Sequence, residues 1–135
     1  MGASLSMVLA WREPRVSAIA AVIGAGDFWW DVTKVPPGPQ QDEKKKSYGP
    51  RVTRLVNSLD PWPRLEMIPP KALLIINSRE DPLVPIGIMR RVSSEVAKFY
   101  AASPQRFQFI EETGPHKPSP TMKASSADWL ARFLL

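Results

Sequence analysis

The chain has 135 residues, 15 of them proline, with no cysteine, a single histidine and a net charge of +5. The absence of cysteine excludes disulfides and thiolate metal sites, and one histidine is too few for an ordinary zinc site, so no metal or cofactor is expected. No apolar run reaches the ~18 residues of a membrane span, no secretory signal opens the chain, and 44% hydrophobic residues with five Trp indicate one globular domain over residues 1–135, expected to be cytoplasmic.

Residues 2–12 read as a helix, with Leu5, Val8, Leu9 and Trp11 among small residues, and Pro14 stops it. The run SAIAAVI at 17–23 reads as a short strand buried on both faces. Residues 25–35 form an aromatic-rich loop or short helix. The stretch PPGPQQDEKKKSYG at 36–49 reads as a mobile, Pro- and Lys-rich loop. Its Lys44, Lys45 and Lys46 are a solvated run or, alternatively, an anion patch; no aromatic residues alternate with them, so a nucleic-acid partner is not expected.

Val52, Leu55, Val56 and Leu59 have helical spacing and predict a helix over 51–59, followed by a connection over 60–70. ALLIIN at 72–77 is the clearest strand. A helix over 86–102, a strand over 106–111, a loop over 114–120 and a helix over 121–134 complete the order. Strands alternating with helices imply an α/β fold with a parallel sheet of about three strands. So small a sheet reads as part of a larger one.

Functional groups in parallel α/β sheets gather at the carboxyl ends of the strands. The loop after ALLIIN carries Ser78-Arg79-Glu80-Asp81-Pro82, and the loop after the next strand carries Gly114-Pro115-His116. Alone, Asp81 reads as turn chemistry and His116 as an exposed loop residue. Together, on consecutive strand loops, they have the acid-then-histidine order of a hydrolytic triad.

Three segments resemble the α/β-hydrolase superfamily, most closely the dienelactone-hydrolase and prolyl-oligopeptidase-like branch of esterases and acyl-peptidases. ALLIINSREDPLVPI is similar to its acid loop. RFQFIEETGPHKPSPTMKASSADWLARFLL is similar to its last strand, histidine loop and closing helix, with Pro115 where the family has a second Gly. MGASLSMVLAWREPRVSAIAAVIG is similar to the helix after the nucleophile and the next strand. The resemblance covers nearly the whole chain except about 36–60, and only the C-terminal half of that fold. It implies that Asp81 orients the imidazole and that His116 is the general base.

The opening residues matter for the nucleophile. Gly2-Ala3-Ser4-Leu5-Ser6 is one residue short of the G-x-S-x-G elbow, but three residues cannot supply the strand that feeds such a turn. Ser4 stands ten residues before Pro14, less than the family's spacing from nucleophile to that proline. The resemblance instead puts the nucleophile before Met1 and makes the Met1 nitrogen one oxyanion donor. Ser4 is then a helix-start residue. Gly2 also fits a six-residue myristoylation pattern, a signal that matches often by chance.

The expectation is a partial α/β-hydrolase fold carrying the Asp and His of a Ser-His-Asp triad, inactive alone, acting on a small ester or amide if completed. Strand 17–23 would then have an open apolar edge suited to self-association or a docking partner. The alternative is a non-catalytic interaction module that binds through that edge. Phe28, Trp29 and Trp30 either cover the sheet as core aromatics or line a substrate pocket.

Overall fold

The computed structural model describes residues 2–24 and 26–134. Strands β1 (Ala18–Val22), β2 (Ala72–Ser78) and β3 (Phe107–Glu112) form one parallel sheet in the order β1-β2-β3. Leu74 at its centre is in register with Ala20 on one side and Gln108 on the other. Six helices flank it: α1 (Gly2–Arg12), α2 (Phe28–Thr33), α3 (Pro39–Lys46), α4 (Pro50–Leu59), α5 (Ile86–Phe99) and α6 (Pro120–Leu134). The described residues therefore make the α/β fold expected, with a parallel sheet of three strands.

The two-residue period of a strand explains the layering. On β2, Leu73 and Ile75 enter a core with Met7 and Ala10 of α1 and Met89, Val92 and Val96 of α5. Ala72, Leu74 and Ile76 enter a second core with Met122 and Trp129 of α6. Leu73, Leu74, Ile75 and Ile76 are each at most 1% exposed. At about 1.5–3 kcal/mol per buried aliphatic side chain, this tetrapeptide is a principal source of stability.

β1 lies at the sheet edge, and its two faces differ. Ile19 and Ala21 are buried, whereas Ala18, Ala20 and Val22 are half-buried against α6. Burial on both faces was expected, but the α6 layer does not fully cover an edge strand. α1 approaches the end of β1 so closely that a Cβ on Gly24 would lie 2.4 Å from the Ala3 Cβ. Lys71 holds the other end of α1: its Nζ donates to the carbonyls of Ala10 and Glu13, both at 2.7 Å.

The long connection between β1 and β2 is organised by buried polar groups. Asp27 caps α2, accepting from the Trp30 N–H at 2.9 Å, and pairs with Arg91 of α5. The Arg91 guanidinium stacks over Trp62 at 3.9 Å. Asp60, at the end of α4, accepts from the N–H groups of Phe28 and Trp62. A 3-10 helix over Trp62–Met67 leads into β2.

The segment 36–49, read as a loop, holds helix α3 instead. It has almost no apolar periodicity, which hid it. Pro39 at its first turn and the pairs Asp42–Lys45 and Glu43–Lys46 support it locally. Buried Gln41 donates to the Val35 carbonyl at 2.8 Å and Lys44 to the Thr33 carbonyl at 2.7 Å. All three lysines of the run therefore have partners, which weighs against a free anion patch.

Candidate active site

Because the strands are parallel, the loops after β1, β2 and β3 emerge on the same side of the sheet. Asp81 sits in the turn after β2. Its Oδ1 accepts from the N–H groups of Leu83 at 2.8 Å and Val84 at 3.0 Å, a local Asx-type arrangement that fixes the carboxylate. Its Oδ2 lies 2.7 Å from His116 Nδ1. The Asp81 side chain is 0% exposed, and that of His116 is 36% exposed.

An ionised aspartate is acceptor-only, so this contact requires the proton on Nδ1. That choice leaves Nε2 as the basic nitrogen. Nε2 has no hydrogen bond among the described residues. The dyad is thus a buried acid, held by two backbone donors, orienting a half-exposed base.

The histidine loop is tied down at several points. Gly114 has φ +131°, a conformation that side chains disfavour, and its carbonyl accepts from the Ser78 hydroxyl. The Arg79 N–H donates to the Glu112 carbonyl at 2.8 Å. Ser119 caps α6 by accepting from the Met122 N–H at 2.9 Å, and its hydroxyl donates to Glu112 Oε2 at 2.6 Å. Pro115 stands where the resemblance called for glycine, and the His116–Asp81 contact forms with it in place.

The other sequence candidates fall elsewhere. Ser4 lies in the first turns of α1, beside a hollow of about 350 Å³ shared with Leu5, Phe28, Asp31 and Val32. No hydrogen bond joins it to His116 among the described residues. Met1, assigned an oxyanion role by resemblance, lies outside the described residues. Trp29 and Trp30 are both buried; Trp29 donates to Asn57 Oδ1 at 2.8 Å, and Trp30 also walls a cavity beside the Asp81 turn. The aromatic segment thus supplies both core and pocket wall.

Two further carboxylates have environments that no sequence pattern marks. Burial pushes the Asp60 carboxyl above its usual range, reinforced by the charge of Asp27 and opposed by the two N–H donors. Hydrogen bonding to Arg90, helped by Arg79, holds Glu111 down at about 2. Phe28, Asp27, Arg79 and Arg90 lie at least 21 residues from the carboxylates they act on, so no local motif marks these contacts. Among the described residues, no group of three His, Cys, Asp or Glu could hold a metal ion, and no helix is long and apolar enough to cross a membrane.

By architecture the described residues match the C-terminal half of an α/β-hydrolase-like fold. The solved structure of TT1662 from Thermus thermophilus superposes with a TM-score of 0.73 at 20% identity, covering 98% of this chain and 50% of that one. The Pyrococcus furiosus esterase Pf2001 superposes with a TM-score of 0.60 at 13% identity, covering 98% and 50%. A second crystal form of that esterase gives 0.60 at 14% identity. The chain spans about half the length of these structures. No protein-family profile matches the chain, and no curated protein matches it.

Proposed function

We propose that the chain is the acid–base half of a serine-hydrolase active site of the carboxylesterase or acyl-peptidase type. The contact of His116 Nδ1 with the buried, doubly anchored Asp81 carboxylate carries this reading. His116 Nε2 removes the proton from a serine hydroxyl as its oxygen bonds to the carbonyl carbon of an ester or amide. The imidazolium then returns the proton to the leaving oxygen or nitrogen as its bond to that carbon breaks. Asp81 keeps the imidazole in the needed tautomer and stabilises its charge without taking the proton.

The serine comes from outside these 135 residues, from more of the same polypeptide or from a second chain. The same source supplies oxyanion donors, each worth about 3–4 kcal/mol of transition-state stabilisation. The 135 residues alone are therefore inactive. The edge of β1 is where the missing half docks, over a hollow of about 270 Å³ lined by Leu9, Val16, Ala18 and Leu130.

The coding DNA upstream of Met1 provides a test. An in-frame strand ending in G-x-S, and ester hydrolysis by the extended polypeptide that His116→Ala abolishes, is the expected result. Hydrolysis unaffected by His116→Ala would overturn the assignment. A second reading, an interaction module without catalysis, is favoured by the open β1 edge. It predicts partner binding that His116→Ala leaves unchanged in a complex without hydrolytic activity.

A further inference from the structure

We infer that the cavity beside the Asp81 turn is a substrate-arm site for a hydrocarbon group with an anionic end. The inference rests on the hydrolase reading and names the substrate class of that site. The cavity holds about 530 Å³, within the range of small-molecule pockets. Its walls come from α2, from Pro36 and from the turn between Asp81 and α5.

Pro82 and Leu83 line the cavity and directly follow Asp81. Successive Cα atoms are ~3.8 Å apart, so this wall begins within about 8 Å of the Asp81 backbone. On this inference, a substrate reacting at His116 reaches the cavity with a short arm. Pro36, Pro82 and Pro85 present no N–H donors, and Leu83 and Ile88 are aliphatic. A polar arm would lose its water without gaining partners there. Leu83 is 58% exposed, although its own N–H anchors the acid. That leaves a large apolar surface with no protein neighbour covering it.

Among the described residues, Lys34 is the only charged one in the lining. Its backbone is fixed by the bond from its N–H to the Trp30 carbonyl at 2.7 Å, which closes α2. Its ammonium lies 4.4 Å from the Trp30 ring centroid and 2.6 Å from Asp31 Oδ1. Both partners of that pair are about half exposed, and such pairs are weak and exchangeable. The ammonium has three N–H donors, so a carboxylate on the ligand can join Asp31 there while the hydrocarbon lies on Trp30 and Leu83.

Binding of 4-phenylbutyrate, 4-phenylbutan-1-ol and 4-phenylbutylamine to the whole chain, followed by ¹H–¹⁵N NMR, tests this. The expected shift changes cluster at Trp30, Lys34, Leu83 and Gly87. Butyrate binds up to about five-fold more tightly than the alcohol, the factor an exposed ion pair supplies, and the amine binds most weakly. Lys34→Met equalises butyrate and alcohol. Leu83→Glu, at an exposed position that leaves the fold intact, weakens all but the amine. Shifts elsewhere, an amine as tight as the acid, or a butyrate preference surviving Lys34→Met would overturn the inference. The readout does not need hydrolysis. Binding as described without esterase activity in the extended polypeptide would sink only the hydrolase reading. Activity without binding here would sink only the arm site.

Discussion

Asp81→Asn and Asp81→Ala should separate two roles of one carboxylate. In Asp81→Ala, the N–H groups of Leu83 and Val84 lose their acceptor, that of Val84 in a buried position and that of Leu83 in a part-buried one. Each orphaned donor costs about 1–3 kcal/mol, the part-buried Leu83 donor at the low end, so the variant loses about 2–4 kcal/mol of a total near 5–15 kcal/mol. Asparagine can keep its carbonyl oxygen toward those two donors; the opposite flip would orphan both. The amide nitrogen must then face His116 Nδ1, which currently lies 2.7 Å from the carboxylate. An amide donates, so Nδ1 must accept and the proton moves to Nε2. The stability cost stays near 1 kcal/mol, the difference between a charged and a neutral acceptor. Urea unfolding reads the stabilities, and ¹⁵N NMR of the imidazole at alkaline pH reads the tautomer. With one histidine in the chain, the signals need no assignment by mutation. Wild type should show the Nδ1–H form and Asp81→Asn the Nε2–H form. The same tautomer in both would show that the carboxylate does not hold the imidazole, and an Asp81→Ala variant as stable as wild type that it does not hold the turn.

Three further outcomes follow from the packing. Gly24→Ala places a Cβ 2.4 Å from the Ala3 Cβ and 3.1 Å from the Ser4 nitrogen. It should cost about 1–3 kcal/mol in thermal unfolding, and an unchanged midpoint would show that α1 yields freely. Asp60 has its folded-state pKa raised by burial, so the native state binds this proton more tightly than the unfolded chain does. Stability is then lost as pH rises from the usual carboxylate range through the raised value. Asp60→Asn keeps a carbonyl for Phe28 and Trp62 and should be more stable than wild type at neutral pH, with the gain fading in acid. A loss of similar size at every pH would contradict that account. Lys71→Met removes two donors from the end of α1 and should cost about 1–3 kcal/mol, with early loss of amide protection near residues 10–13. Uniform protection would show that the α1 end does not depend on Lys71.

What the sequence made legible follows the physics of each element. ALLIIN announced β2 because a central strand buried on both faces must be continuously apolar. Helix α6 could be read from Met122, Trp129 and Phe133, which meet the sheet on one side. Asp81 and His116 could be singled out because each follows a strand, and parallel topology brings such loops together. Helix α3 was invisible because its support is a set of charge pairs and two side-chain bonds to the Thr33 and Val35 carbonyls, not an apolar stripe. The pairing of Asp27 with Arg91 joins residues 64 positions apart, beyond any local pattern. The Leu83 and Val84 N–H groups that hold Asp81 carry no side-chain signature, although the Asp-Pro turn hinted at them.

On the proposed function, these 135 residues hold the acid and base of a hydrolase but not its nucleophile. Hydrolysis of p-nitrophenyl butyrate by the folded chain, beside His116→Ala and Ser4→Ala, tests it most directly. The expected rate is no greater than buffer for all three, with native circular dichroism in each. Hydrolysis by wild type that disappears in both variants would contradict it and make Ser4 the nucleophile.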